Sequence, residues 1–127
     1  MDQYHRSHKK KVGTGTGGRM GKPRDKKLSH MGRPFANTKI RENEDRVTIR
    51  LRGGKTKQKL KKALYVNVFG KDGKCKKVKI LSVAESHNTE FVRQNIVTRG
   101  AILNTDVGKV RVTNRVGQDG IVNGVQV

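Results

Sequence analysis

Val47-Thr48-Ile49-Arg50-Leu51-Arg52-Gly53-Gly54 is the stretch on which the fold turns. Val47, Ile49 and Leu51 alternate with Thr48, Arg50 and Arg52, the period-two signature of a strand, and the glycine pair then interrupts it. Past the interruption Leu60, Leu64, Val66 and Val68 share one parity, while Lys59, Lys61, Tyr65, Asn67 and Phe69 take the other. A hairpin reversing near Gly53-Gly54 accounts for both halves. A short helix over residues 57–64 competes with its second half, because Lys, Gln, Leu and Ala are good helix formers.

Downstream, Lys71-Asp72-Gly73-Lys74 is a second turn signal, since Asp-Gly tolerates the positive φ of tight hairpins. Val78 to Val83 changes phase between Ile80 and Leu81, as a bulge would. Further short strands are expected at 96–98, 101–105, 109–114 and 121–127, with breaks at Gly100, at 106–108 and at Gly117-Gln118-Asp119-Gly120. Six or seven short strands in about 80 residues predict an all-β chain, a small antiparallel β-barrel whose closure removes exposed edges.

Upstream the character changes. Residues 1–40 hold few apolar side chains at no regular period, and six glycines with Pro23 and Pro34 break any helix or strand. This reads as an irregular basic N-terminal extension that orders on its partner. The expected organisation is therefore a Gly-rich arm over 1–45 and a barrel over 46–127 with a basic hairpin near 50–62.

Charge follows the same division. The chain has 30 Lys and Arg against 10 Asp and Glu, a net charge of +20 at pH 7. Residues 1–62 hold 20 basic and 5 acidic residues, net +15, whereas 63–127 hold 10 and 5, net +5. Such self-repulsion opposes a compact isolated state, so an anionic partner is expected to cover it. Only 31% of residues are apolar, too few for a core spread over the whole chain.

Several chemistries find no support. Gly13, Gly15 and Gly18 satisfy G-x-G-x-x-G, but Lys9-Lys10-Lys11 precede and Pro23 follows, where a dinucleotide site needs a strand and a helix. Gly54-Lys55-Thr56 imitates the end of a phosphate-binding loop, yet the earlier glycine it requires falls on Ile49. His5, His8, His30, His87 and Cys75 lack the paired spacing of structural zinc, so no metal, cofactor or small-molecule substrate is expected. No acid–base pair or nucleophile constellation is visible, and the chain does not read as an enzyme. A single cysteine, no membrane-length apolar run and no secretory signal fit a cytoplasmic protein off the membrane.

The basic runs remain. Arg6, Lys9, Lys10, Lys11, Arg19, Lys22, Arg24, Lys26, Lys27, Arg33 and Lys39 crowd the arm, and Arg50, Arg52, Lys55, Lys57 and Lys59, with Lys61 and Lys62, crowd the hairpin. Cations so unbalanced by acids suit phosphate, each contact releasing condensed counterions. Single-strand readers stack bases on aromatics, and with two Tyr, three Phe and no Trp this chain is poorly supplied. DNA readers present a helix to the major groove, and none is predicted. Phosphate contacts on folded RNA fit best; a DNA-compacting protein and a nucleotide-dependent enzyme are the competing classes.

Four segments carry a family resemblance beyond composition: Gly32-Arg33-Pro34-Phe35-Ala36-Asn37-Thr38-Lys39-Ile40, Val47 through Lys57, Asn95 through Ile102, and Gly108 through Gly120. In that order they resemble small-subunit ribosomal protein eight of the archaeal and eukaryotic type, in its shorter archaeal form. His30-Met31 before Gly32, Lys55 after the glycine pair and the long Gly-Thr run depart from its pattern. The resemblance implies a basic arm, a small β-barrel, residence in the cytoplasmic small ribosomal subunit, and neighbours that are ribosomal RNA and ribosomal proteins rather than further copies of the chain. Arg33 and Lys39, beside Pro34, are the first contacts it suggests.

Overall fold

The computed structural model describes residues 31–70 and 73–127, together with 3–4, 10–11, 15 and 19–20. The chain divides into two units, Met1–Phe35 and Ala36–Val127. In the first, β1 (Gln3–Tyr4) pairs antiparallel with β4 (Met31–Gly32), and β2 (Lys10–Lys11) with β3 (Arg19–Met20). Most of the Gly13-to-Gly18 run, with Lys71 and Asp72 of the second turn signal, lies outside the described residues.

In the second unit β5 (Lys39–Ile40), β6 (Asp45–Arg50) and β7 (Thr56–Ala63) form a sheet with β7 in the middle. The expected hairpin is there: β6 and β7 pair antiparallel from Asp45 opposite Lys62 to Arg50 opposite Thr56. A 3-10 turn, Arg52–Gly54, reverses the chain, and Leu51 N donates to the Lys55 carbonyl at 2.6 Å. Gly53 and Gly54 stand at φ +76° and +78°, which side chains resist and glycine accepts. Pairing with β6 along the strand, and with β5 at Lys62 and Ala63, overrides the helix propensity of 57–64. The hairpin register slips at Lys61, so Leu60 and Ala63 both turn inward, and Leu64, expected inside, is only half-buried.

The barrel is built from β8 (Tyr65–Phe69), β9 (Cys75–Glu85), β10 (Ile102–Thr105), β11 (Gly108–Val112) and β12 (Asn123–Gln126). Around its circumference the order is β10-β11-β12-β8-β9, closed. Four seams are antiparallel; the fifth, β12 on β8, is parallel, with Asn123, Gly124 and Val125 opposite Asn67, Val68 and Phe69. The phase change in β9 is a bulge: Thr105 pairs with Ile80 and Asn104 with Ser82, leaving Leu81 extra and 57% exposed between buried Ile80 and Val83. The core is mostly valine, with Leu60, Ala63, Ile80, Ala101 and Leu103. Small branched side chains suit so narrow a barrel.

Three elements differ from expectation. Residues 96–98 are not a strand; Ile96 makes one bridge, to Lys39. Helical turn α1 (Thr89–Arg93) stands where the sequence suggested no element and α2 (Val116–Asp119) where it suggested a break, both too short at 5 and 4 residues to display a helical period. Asn88 caps α1 by accepting from Glu90 N, and Gly120 ends α2 in the left-handed region. Among the described residues no helix is long and apolar enough to cross a membrane.

Two close approaches yield tests. A Cβ on Gly124 would run into Val110 Cγ1 and stand 2.9 Å from the Arg111 carbonyl oxygen. Gly124→Ala therefore lowers stability by about 1–3 kcal/mol, read in denaturant melts. Thr38, 2% exposed, donates its hydroxyl to the Leu60 carbonyl at 2.6 Å beside the bulge. Thr38→Val strands that buried carbonyl at a cost of about 1–3 kcal/mol, and an unchanged melt would contradict the bond's importance.

Candidate nucleic-acid interface

The hairpin separates its own cations by the period of two. Lys57 lies opposite Ile49 and Lys59 opposite Val47, so these four side chains share one face. Arg50 lies opposite Thr56 on the other face, the one carrying Gln58 and the buried Leu60. Gln58 abuts α2: a Cβ on Gly120 would be 2.9 Å from the Gln58 Cβ. Lys57 and Lys59 are half-buried, on the face they share with the apolar Ile49 and Val47. Lys55 is exposed just past the turn that contains Arg52.

Lys39 is placed differently. It is half-buried on β5, paired with Lys62 of β7 and bridged to Ile96. Arg33 is exposed and belongs to the first unit. Lys10, Lys11 and Arg19 contribute main chain to the ladder of β2 and β3. Arg6, Lys9, Lys22, Arg24, Lys26 and Lys27 lie outside the described residues, as do His5, His8 and His30.

Folding also joins Lys62, from the hairpin's basic run, to cations that the sequence reading did not single out. Arg41, Lys62 and Lys79 line an open groove of about 930 Å³ with Glu42, Leu64 and Leu81, drawn from β7, β9 and the segment after β5. On the barrel wall Lys77, Lys79 and Arg111 point outward, their neighbours Val78 and Val110 inward. The alternation of β9 and β11 contained this signal, but which strands adjoin did not follow from it.

Acids are sparse beside these cations, although Glu42 shares the groove with them. No Asp or Glu occurs from Arg46 to Gly70, which covers β8 and all of the hairpin except Asp45 at the start of β6. Glu44 accepts from Arg46 at 3.1 Å, and Glu90 is held by Arg93. Among the described residues no three His, Cys, Asp or Glu come together as metal ligands, and Cys75 is an exposed free thiol.

The family model described as Ribosomal protein S8e matches residues 4–127. The chain is similar to the small ribosomal subunit protein eS8 of Sulfolobus acidocaldarius, with 42% identity over 125 residues, 97% of this chain and 95% of that protein. It is similar also to the eS8 proteins of Methanococcus maripaludis, 43% identical over 112 residues, and Staphylothermus marinus, 42% over 112. Each of those two alignments covers 87% of this chain and 88% of the relative.

The pairing of Glu90 gives a measurable titration. Hydrogen bonds from Arg93 and then Gln94 hold its carboxyl down to about 2 from an ordinary 4.5, against the opposing effect of desolvation. A depressed carboxylate contributes stability above its unfolded pKa and loses it as pH falls through the folded one, here near 2. On so exposed a side chain the contribution is small. In Arg93→Gln the Glu90 carboxyl is expected to titrate nearer 4.5, followed by carboxyl NMR.

Proposed function

The chain belongs to the ribosomal protein S8e family, and from that premise we propose that the arm and hairpin hold it on ribosomal RNA by phosphate contacts. Its role is structural, within the small ribosomal subunit of the cytoplasm, and it is not an enzyme. Residues 1–45 act as the RNA-binding arm, of which 36–45 fold with the second unit, and 46–127 supply the barrel. Arg6, Lys9, Lys10, Lys11, Arg19, Lys22, Arg24, Lys26, Lys27, Arg33 and Lys39 serve the arm; Arg50, Arg52, Lys55, Lys57 and Lys59 serve the hairpin. Neighbouring ribosomal proteins complete its surroundings, with no membrane, small-molecule substrate or second copy of the chain.

The observation that carries this reading is the hairpin, two paired strands with basic side chains on both faces and no acid from Arg46 to its end. A hairpin of that charge is favourable only when phosphates accompany it, which suits placement against RNA helices. Binding to a ribosomal RNA fragment should fall steeply with salt, by about 10³–10⁵ between 50 and 200 mM if 6–10 phosphates are contacted.

Replacing Lys55 and Lys57 together by Gln should lower the slope of log K against log salt by about two, one for each phosphate no longer neutralised. Arg33→Lys and Arg52→Lys should reduce incorporation into small subunits, since a planar guanidinium grips phosphate with two bonds where an ammonium offers a point charge. Gradient sedimentation of a cell extract in moderate salt reads the outcome. Protein remaining at the top, apart from the small subunits, would contradict the assignment.

A further inference from the structure

The outer wall of the barrel carries an array distinct from the hairpin. In β8 the alternation buries Val66 and Val68 and turns Tyr65, Asn67 and Phe69 outward. Register lines up their neighbours. β9 sets Lys79 beside Tyr65, Lys77 beside Asn67 and Cys75 beside Phe69. On the other flank β12 sets Asn123 beside Asn67 and Val125 beside Phe69, and β11 sets Arg111 beside Val125.

Within this array Tyr65 is 37% exposed and Phe69 49% exposed. Lys77 Nζ lies 4.4 Å from the centroid of the Tyr65 ring, and Asn67 Nδ2 donates to Asn123 Oδ1 at 3.1 Å. Neither Asp nor Glu occurs in β8, β11, β12 or residues 75–84 of β9.

Three chemistries therefore share one sheet face: flat apolar rings, amide groups able both to donate and to accept, and cations unopposed by acids. Phosphate alone calls for the cations and leaves the rings without purpose. An apolar protein surface would cover Phe69 and Val125 but strip water from Lys77 and Arg111 without pairing them. An unstacked nucleotide answers all three, with a base for the ring, base-edge groups for the amides and a phosphate for the cations. Four residues of strand separate Tyr65 from Phe69 by about 13 Å, room for more than one base.

We infer that this face binds unstacked bases of single-stranded RNA, with Phe69 and Tyr65 as stacking platforms, the Asn67–Asn123 pair at a base edge, and Lys77, Lys79 and Arg111 on the flanking phosphates. The inference rests on the RNA-binding reading above and extends it from backbone contacts by the hairpin to base contacts by the barrel. The sequence places few aromatics in the chain, but the fold brings two of the five to one exposed strand face.

The test uses the full chain with two probes, a short single-stranded RNA of mixed sequence and the blunt duplex formed with its complement. The chain has no Trp, so Phe69→Trp introduces a lone fluorescent reporter. Its emission should be quenched by the single strand and unaffected by the duplex. Phe69→Ala and Tyr65→Ala should each weaken single-strand binding by roughly fivefold to a hundredfold, as removal of one stacking platform does. Duplex affinity and the salt slope should stay unchanged, and Phe69→Tyr should retain binding.

Alanine variants that bind the single strand like the parent protein overturn the inference, as do variants that lose both probes equally. Variants that bind both probes normally yet leave salt-washed small subunits would assign the face to a neighbouring protein, which also overturns it. Failure of the unsubstituted chain to bind even the duplex would instead defeat the phosphate-contact reading on which the inference rests.

Discussion

The seam between β12 and β8 closes the barrel, and most of the second unit depends on it. It is short, with three register pairs continued at one end by Asn67 N donating to the Val122 carbonyl at 2.9 Å. Without it β8 and β12 would each present an open row of backbone donors and acceptors. With it every strand of the barrel has two neighbours, so backbone pairing rather than a large apolar mass holds the shape. That is how a chain with 31% apolar residues sustains a fold whose core is mostly valine. On its other side β12 lies against β11, where Val110 and Arg111 leave no room for a side chain at Gly124.

Closure also settles what the surface can carry. Because the interior is filled by alternate residues of each strand, the other alternates are free to be lysine, arginine or asparagine without disturbing the core. The net +5 of residues 63–127 is thus accommodated on faces the fold does not need, and the repulsion is left for an anionic partner to relieve. The bulge at Lys61 serves the same end. It lets Leu60 and Ala63 both reach the core, and Thr38 closes a hydrogen bond to the Leu60 carbonyl at that point.

What could be read from the sequence was local. The β6–β7 hairpin and the phase change at Leu81 follow from alternation and turn residues within a dozen positions, and both are present. The inward place of Ala63 was hidden because the bulge at Lys61 resets the parity that favoured Leu64. The two helical turns were hidden because four or five residues cannot display a helical period. The parallel seam joins residues more than fifty positions apart, and nothing in either segment names the other. For the candidate sites the difference is sharper. Lys55, Lys57 and Lys59 announce themselves as a charge run, whereas the grouping of Phe69, Asn123 and Arg111 exists only once three separate strands are side by side.

That long-range seam has a kinetic meaning. β6 can pair with β7, and β8 with β9, as soon as each is available, but β8 keeps one edge open until β12 arrives. Contacts of such sequence separation are slow to form, because the loop must close before the ladder rewards it. During that interval the open edge bears Tyr65 and Phe69, the kind of segment on which nascent chains self-associate. Lysines at 76, 77 and 79 on the adjoining strand then act as gatekeepers, keeping half-assembled barrels apart by like-charge repulsion before any partner is met.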